Sequence, residues 1–320
     1  MFSPNWLSAV ISYSLESSIE LFIIFLVIRV VTWMKGLSSP AVKSRFLLLP
    51  LIVPVIFSPV LHLIFPPLER FAIIIQIEKV LPFLDNIRSY EHYVVPFLLL
   101  AFFLLLTYNL LTGFAVSLRE IRSESNIKFS ARLNEYRILN HLANQFTISR
   151  PLLTISTRRP KTAYVFGWKR PIVILGKEWT HLLDAEEIEA VFAHELAHFK
   201  RGDNWQVLIA KTCRDLMFFN PLAHFIYNEY SETLEQAADD LALQVTHKPL
   251  ALASTLLKFW HMQQTITPPV GSTGFAAHPH QLEKRIHRLC NYSQILETTQ
   301  SSNGLFYSLS IALTVVLSII

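Results

Sequence analysis

The sequence predicts a mainly α-helical integral membrane protein, with about four transmembrane helices and one cytoplasmic α+β domain that contains a small β-sheet. Three observations predict this class. Hydrophobic residues make up 52% of the chain and charged residues only 16%, which is too apolar for an ordinary soluble domain. The apolar residues concentrate in segments long enough to cross a bilayer. The region 117–304 instead combines helical periodicity with two short apolar strands.

Four segments are expected to span the membrane, at 9–33, 46–65, 94–116 and 305–320. Three prolines interrupt the second segment. The fourth segment is about 24 Å long at 1.5 Å per residue, short of a hydrocarbon core of about 30 Å, so we expect a longer natural form. The expected domains are a membrane domain at 1–116 with three spans, a cytoplasmic domain at 117–304, and a C-terminal span at 305–320.

Basic residues next to the spans predict the orientation. The connection 35–45 carries Lys35, Lys43 and Arg45 and no acidic residue, and four further basic residues follow the third span. Positive-inside counting therefore places the N-terminus outside and 117–304 in the cytoplasm. The net charge of +4 and the pI near 9.0 fit attraction to anionic lipid headgroups. The sequence lacks the interleaved basic and aromatic residues that would indicate direct binding to nucleic acid.

A metal-binding motif lies on a helix that is well marked at both ends. Asp184 and Glu187 form a capping-box pattern that predicts a helix from Ala185, and Gly202 is a candidate C-cap. Within this helix, His194 and His198 stand one turn apart, where two imidazoles can hold one zinc ion. Glu195 beside them can act as general base towards a water molecule. The pattern predicts hydrolysis of peptide bonds.

A catalytic zinc site normally takes three protein ligands, so the third must come from elsewhere in the chain. The metzincin pattern is excluded because Arg201 and Asn204 stand where it requires Gly and His. A second predicted helix, 228–245, offers Glu235 as the third ligand, and Asp239 one turn later could accept the free ring N–H of a ligand histidine. The alternative is that both carboxylates belong to a solvated acidic helix face.

Two apolar strands are predicted directly before the metal-binding helix, at 162–167 and 170–176. An edge strand near the metal could pair with an extended substrate through its backbone, although a purely structural hairpin is an equal alternative. After the motif, 205–227 is more apolar than a surface helix requires, and Asn220-Pro221 divides it. This segment is therefore expected to form a helical hairpin that lies against or dips into the bilayer.

These motifs together resemble the BlaR/MecR family of integral-membrane metallopeptidases. The similar segments are Phe166-Gly167, Arg170-Pro171-Ile172, residues 194–204, Phe219-Asn220-Pro221-Leu222 and residues 235–239. The resemblance implies a gluzincin-type zinc endopeptidase in a bacterial inner membrane, with one zinc held by His194, His198 and Glu235, and with Glu195 as general base. It also implies that Asp203 and Asn204 support the helix. The sensor members carry a penicillin-binding domain after the fourth span, and from this sequence we expect no such domain here.

The segment around His278 and Arg285 is also similar to the HtpX and CAAX-prenyl-protease family. That resemblance implies that these two residues stabilise the oxyanion during catalysis. Here their spacing is one residue longer than expected, and the alternative is a loop histidine with no partner.

The family resemblance predicts regulated proteolysis in signal transduction, in which the substrate is a cytoplasmic repressor or the protein itself. Two other functions stay open. One is HtpX-like quality control of membrane proteins, and the other is a non-catalytic receptor that keeps zinc only for structure, which normally requires a fourth protein ligand. The expected partners are a protein substrate, membrane lipids and a second copy in a homodimer.

Overall fold

The structure is a computed structural model that describes residues 6–36, 39–57, 97, 100–112, 133–157, 161–167, 170–264 and 279–292. It is mostly helical with one small mixed sheet, as the sequence predicts. The chain divides into two compact units. The first comprises Met1–Leu110, Gln206–Thr233 and Ser301–Ile320, and the second comprises Leu111–Trp205 and Leu234–Gln300. The expected domain boundaries after residues 116 and 304 both lie outside the described residues and stay predictions.

The first unit is built on apolar helices. Helix α1 spans Trp6–Met34, α2 spans Pro40–Ile52 and continues as a short π-helix at Val53–Phe57, and α3 spans Leu100–Thr112. Pro54 has no N–H with which to continue the α-helical ladder, which accounts for the change at the end of α2. Ile28 of α1 packs against Val42 and Phe46 of α2 in a buried cluster.

One described helix is long and apolar enough to cross a membrane, and its qualifying stretch is Ser17–Met34 of α1. Helix α3 is apolar but shorter. Of the other expected spans, 58–65 and 305–320 lie outside the described residues. The four-span prediction is therefore not confirmed, and the described part of the chain supports one of its members.

The second unit contains the sheet and the motif helix. Its strands are β1 (Leu152–Ser156), β2 (Ala163–Phe166) and β3 (Ile172–Gly176). The helices of this region and of the remaining described chain are α4 (Leu133–Gln145), α5 (Trp179–Leu182), α6 (Ala185–Arg201), α7 (Asp203–Leu216), α8 (Pro221–Thr246), α9 (Pro249–Gln264) and α10 (Pro279–Cys290). Helices α7 and α8 each begin in one unit and end in the other.

The sheet has the order β1-β3-β2, with β1 parallel and β2 antiparallel to β3. The two predicted strands are thus confirmed as β2 and β3, whereas β1 was not predicted. In β1 buried and exposed residues do not alternate clearly, because four of its five residues are only partly buried. β3 lies in the centre and is almost wholly buried, so β2 forms one edge of the described sheet.

Helix α6 packs its apolar stripe against this sheet. Phe192 and Leu196 are fully buried with Val173 and Leu175 of β3. Trp179 is fully buried too, and its ring stacks on Phe259 with a centroid distance of 3.8 Å. Burying each such side chain contributes about 1.5–3 kcal/mol. This packing leaves the opposite face of α6 available for polar groups.

Both predicted ends of α6 are confirmed. The Glu187 backbone N–H donates to Asp184 Oδ1 at 2.9 Å, and the Asp184 N–H donates to Glu187 Oε2 at 3.0 Å, which completes the capping box. Gly202 follows the helix in the left-handed conformation with φ 71°. Burial favours the neutral form of Glu187, but hydrogen bonds from Lys258, Ser254 and the Asp184 N–H outweigh it and lower the pKa of this carboxyl.

Candidate metal centre

The two motif histidines face each other across one turn of α6. Nε2 of His194 lies 3.1 Å from Nε2 of His198, and the two rings are perpendicular. Both side chains are largely buried. The i, i+4 spacing of a helix puts them on one face, and the buried sheet contact of α6 fixes which way that face points.

Glu235 of α8 completes a three-residue cluster with these histidines. Its Oε2 lies 3.4 Å from Nε2 of His194, and its Oε1 lies 3.7 Å from Nε2 of His198. One candidate ligand atom from each of the three side chains lies within 4.8 Å of the others. The structure thus brings together the three residues that the sequence predicts as metal ligands.

Each histidine has a carboxylate at its other ring nitrogen. Asp239 Oδ1 lies 3.0 Å from Nδ1 of His194, at the position that the sequence predicts, in an ion-pair contact rather than an aligned hydrogen bond. Asp203 Oδ2 lies 2.8 Å from Nδ1 of His198. Both carboxylates are almost fully buried. Such contacts orient an imidazole and leave its Nε2 facing the site.

The contact of Asp203 with His198 was missed by sequence reasoning, which predicts only that Asp203 supports the helix. Asp203 follows Gly202, whose left-handed conformation turns the chain back towards the last turn of α6. Arg201 also donates to Asp203 at 3.0 Å from Nε. The sequence feature that could have predicted this contact is an acidic residue directly after a candidate C-cap glycine.

Arg285 of α10 holds the two carboxylates of α8. Its Nη1 lies 3.0 Å from Oε2 of Glu235, and its Nη2 and Nε donate to the two Asp239 oxygens at 2.7 and 2.9 Å. This two-point contact has the geometry in which a guanidinium fixes a carboxylate. The oxyanion role of Arg285 stays a prediction. Its expected partner His278 lies outside the described residues.

The charges in this cluster shift one another's protonation. Burial disfavours the charged form of His198, but Glu235 and Asp203 outweigh it and raise its pKa to about 10. Burial favours the neutral form of Glu235, but Arg285 and then His198 hold the pKa of this carboxyl well below its usual range. In the same way Arg285 and His194 lower the pKa of Asp239 to about 2. Both carboxylates are thus ionised at neutral pH.

Glu195 has a different environment from the other carboxylates. Burial raises the pKa of Glu195, and the charged histidines oppose that shift only in part. Its carboxylate accepts a hydrogen bond from the backbone N–H of Val165 in β2. On the same stretch of β2, the Val165 carbonyl oxygen accepts from Nδ2 of Asn204 at 3.4 Å. Edge strand β2 therefore lies directly beside the motif.

The three side chains suit a zinc ion. Two imidazole nitrogens and one carboxylate oxygen are the donor set of a catalytic zinc site with an open fourth position. Ligand atoms about 2.0–2.1 Å from one tetrahedral ion lie roughly 3.3 Å apart, close to the 3.1 Å between the two Nε2 atoms. The carboxylates at both Nδ1 atoms would leave these Nε2 atoms to face a bound zinc ion.

We expect that replacing either supporting aspartate weakens zinc binding. Asp203→Asn and Asp239→Asn each keep the side-chain shape but remove the charge beside Nδ1, so the dissociation constant for zinc should rise about 10- to 100-fold. Competition with a chelating dye measures this constant. Asp240→Asn is the matched control, because Asp240 pairs with Arg288 rather than a histidine. An unchanged zinc affinity in Asp203→Asn and Asp239→Asn would contradict the supporting role.

The chain is similar to a known peptidase family and to two individual proteins. A sequence model of the family described as BlaR1 peptidase M56 matches residues 8–289. The regulatory protein BlaR1 of Bacillus licheniformis is 27% identical over 162 residues, which cover 48% of this chain and 26% of that protein. A protease HtpX homolog of Sulfurovum sp. (strain NBC37-1) is 27% identical over 164 residues, which cover 42% of this chain and 59% of the relative. Each match spans less than two thirds of the relative.

Proposed function

The chain belongs to the BlaR1 peptidase M56 family, and on that premise we propose that it is a membrane-embedded, zinc-dependent endopeptidase. The convergence of His194, His198 and Glu235 beside the buried Glu195 carries this proposal. We assign the first three residues as ligands of one zinc ion and Glu195 as general base. Asp203 and Asp239 orient the two histidines.

The chemistry divides between the ion and the side chains around it. Zinc, when bound, supplies a Lewis acid that polarises the peptide carbonyl and activates water. Glu195 accepts a proton from the attacking water and delivers it to the leaving amine. Burial raises the pKa of Glu195 and so favours its carboxylate as a proton acceptor. Arg285 keeps Glu235 and Asp239 ionised.

We assign β2 as the strand that pairs with an extended substrate. Gly176 of β3 donates to the Thr162 carbonyl, so in an antiparallel ladder the N–H groups of Ala163 and Val165 point to the free edge. Val165 uses this edge to contact Glu195 and Asn204, so Ala163 is the residue that offers its N–H to a substrate, beside the general base. Pairing along it would align the scissile carbonyl with the site.

Proline substitutions test whether β2 pairs with the substrate. Ala163→Pro removes an N–H that points to the free edge and should raise KM for a peptide substrate at least about tenfold, with little change in Tm. Tyr164→Pro is the contrasting variant, because it removes the N–H of Tyr164 that points to β3 and should therefore lower Tm. If Ala163→Pro cleaves with an unchanged KM, no substrate strand pairs at this edge.

A substitution series tests the role of Arg285. Arg285→Ala leaves two buried carboxylates without their cation and should cost about 3–5 kcal/mol of unfolding free energy, with a loss of zinc affinity. If Arg285 and His278 stabilise the oxyanion, Arg285→Ala should also lower kcat. His278→Ala should lower kcat while the protein keeps its full zinc content. Thermal unfolding, zinc titration and cleavage rates separate these effects. Wild-type cleavage by both variants would disprove the oxyanion role.

We further propose four membrane spans, with the N-terminus outside and the peptidase on the cytoplasmic side of a bacterial inner membrane. Large apolar side chains exposed along α1 support contact with lipid. These are Leu15, Ile19, Phe22, Ile23, Leu26, Val27, Val30 and Trp33. The substrate would be a cytoplasmic repressor or the protein itself, in signal transduction by regulated proteolysis.

Two alternatives differ in their support. The match to a protease HtpX homolog favours quality-control proteolysis, for which broad substrate tolerance without an inducing signal would be the distinguishing result. A non-catalytic zinc receptor is less well supported. Within the described parts of the chain, the metal-ligand cluster contains no fourth His, Cys, Asp or Glu that would close the site.

Zinc content and proteolysis of the detergent-purified protein test the proposal. We expect one zinc per chain by mass spectrometry, and cleavage of casein or of the protein itself. Treatment with 1,10-phenanthroline should abolish cleavage, and added zinc should restore it. Zinc without cleavage of either substrate would favour the receptor alternative, and absence of zinc would disprove the site.

A further inference from the structure

The turn between α7 and α8 carries large apolar side chains on its surface. Phe218 is 76% exposed and Phe225 is 54% exposed, with Phe219 also exposed between them. From Met217 to Phe225 the chain contains no Asp, Glu, Lys or Arg. A turn that faces water is normally polar, and exposed aromatic patches of this kind mark a surface that another apolar phase covers.

The first half of α8 runs beside α1 in the same direction. Asn220 Nδ2 donates to Ser18 Oγ at 3.0 Å. The Phe225 ring lies edge-on to Phe25 with a centroid distance of 6.2 Å. One turn later, Glu229 pairs with Arg29. The three contacts advance together along both helices, so they fix how far the turn reaches along α1.

This register places the turn at the level of Ser18, near the start of the stretch of α1 that could cross a membrane. From Ser18 to Arg29 the rise along α1 is about 16 Å at 1.5 Å per residue. That length is roughly half of a hydrocarbon core of about 30 Å. If α1 spans the bilayer, the turn therefore lies about 16 Å beyond Arg29, within the apolar layer.

Arg214 and Asp215 lie in the last turn of α7, next to the tip of the hairpin, and have partners within the protein. The Arg214 guanidinium lies 4.2 Å above the Tyr227 ring and pairs with Asp215. Glu229 pairs with Lys43 at 2.9 Å as well as with Arg29. These ionic groups are thus paired or shielded, as required for charged side chains next to lipid.

Several polar groups of the turn have partners within the protein. The Leu222 N–H donates to Asn220 Oδ1 at 2.9 Å, and the Asn220 N–H donates to the Met217 carbonyl at 2.8 Å. Nε2 of His224 lies 3.3 Å from the Phe218 carbonyl oxygen. Non-helical backbone at membrane depth requires such internal partners, since lipid supplies none.

From these observations we propose that α7 and α8 form a re-entrant hairpin, which inserts into the bilayer from the side of Arg29. The rings of Phe218, Phe219 and Phe225 then contact lipid acyl chains. This inference rests on the membrane location in the proposed function, but not on zinc or proteolysis. Because α8 is one continuous helix to Thr246, insertion tethers the helix that carries Glu235 to the membrane.

Depth-dependent fluorescence quenching tests the insertion. The full chain with Cys290→Ser, which removes the exposed thiol, is labelled with bimane at Phe218→Cys; Cys213 is buried and stays. It is reconstituted in phosphatidylcholine–phosphatidylglycerol vesicles (3:1), with or without phosphatidylcholine brominated at acyl carbons 11 and 12. We expect the brominated lipid to reduce the fluorescence at least twofold and aqueous iodide to have little effect.

Two control positions make the outcomes decisive. The label at Gln244→Cys, exposed near the other end of α8, should respond to iodide and not to brominated lipid. The label at Phe22→Cys, exposed on α1, should respond to brominated lipid. If Phe22→Cys responds and Phe218→Cys responds mainly to iodide, or to neither quencher because protein covers it, the hairpin proposal is wrong. If Phe22→Cys does not respond, the membrane location is wrong as well.

Discussion

Glu195→Gln is expected to abolish proteolysis while the protein keeps its zinc. The substitution removes the proton acceptor without changing the size of the side chain, and general acid–base catalysis of this kind contributes about 10²- to 10⁴-fold. Its amide can still accept the hydrogen bond from the Val165 N–H, so the contact with β2 survives. Casein cleavage and zinc content, measured on the same preparation, give the result directly.

The matched control for this substitution is Glu189→Gln, on the same helix. Glu189 pairs with Lys248 and does not belong to the cluster, so its loss should leave the cleavage rate within about twofold of wild type. Cleavage by Glu195→Gln at the wild-type rate would remove Glu195 from the mechanism. Loss of zinc in Glu195→Gln would instead make Glu195 part of the metal site.

Glu235→Gln is expected to lose both zinc and activity. The amide is a weaker ligand than a carboxylate, and it also removes the negative charge that faces His194, His198 and Arg285. We expect the zinc affinity to fall by at least about 100-fold, since changes at supporting residues alone cost 10- to 100-fold. Metal analysis after dialysis and chelator competition both measure the change.

Glu232→Gln, one turn earlier on α8, is the control for a general effect of charge on this helix. It should keep one zinc per chain. Full zinc occupancy in Glu235→Gln would show that the third ligand lies elsewhere, and would leave the contact between Glu235 and Arg285 as a structural ion pair. In that case Arg285→Ala should destabilise the protein without changing the zinc affinity.

Local patterns determined the motif helix and its ends. The spacing of His194 and His198 needs only helical geometry, and the capping box and Gly202 act within a few residues of the helix termini. The two strands of the hairpin are equally local, because their apolar runs are joined by a short connection. Composition alone marked the apolar segment that α1 contains.

Helical content and acidic residues indicated Glu235 and Asp239, but only the packing of α8 against α6 brought them to the histidines. The contact of Arg285 with Asp239 joins residues 46 positions apart, and no sequence pattern sets that distance. The role of Asp203 depended on the direction in which the chain leaves Gly202. The sequence by itself therefore determined which elements form and which chemical groups they carry, because capping and periodicity act over a few residues. Tertiary structure decided which groups meet, because long-range contacts depend on how the apolar faces pack.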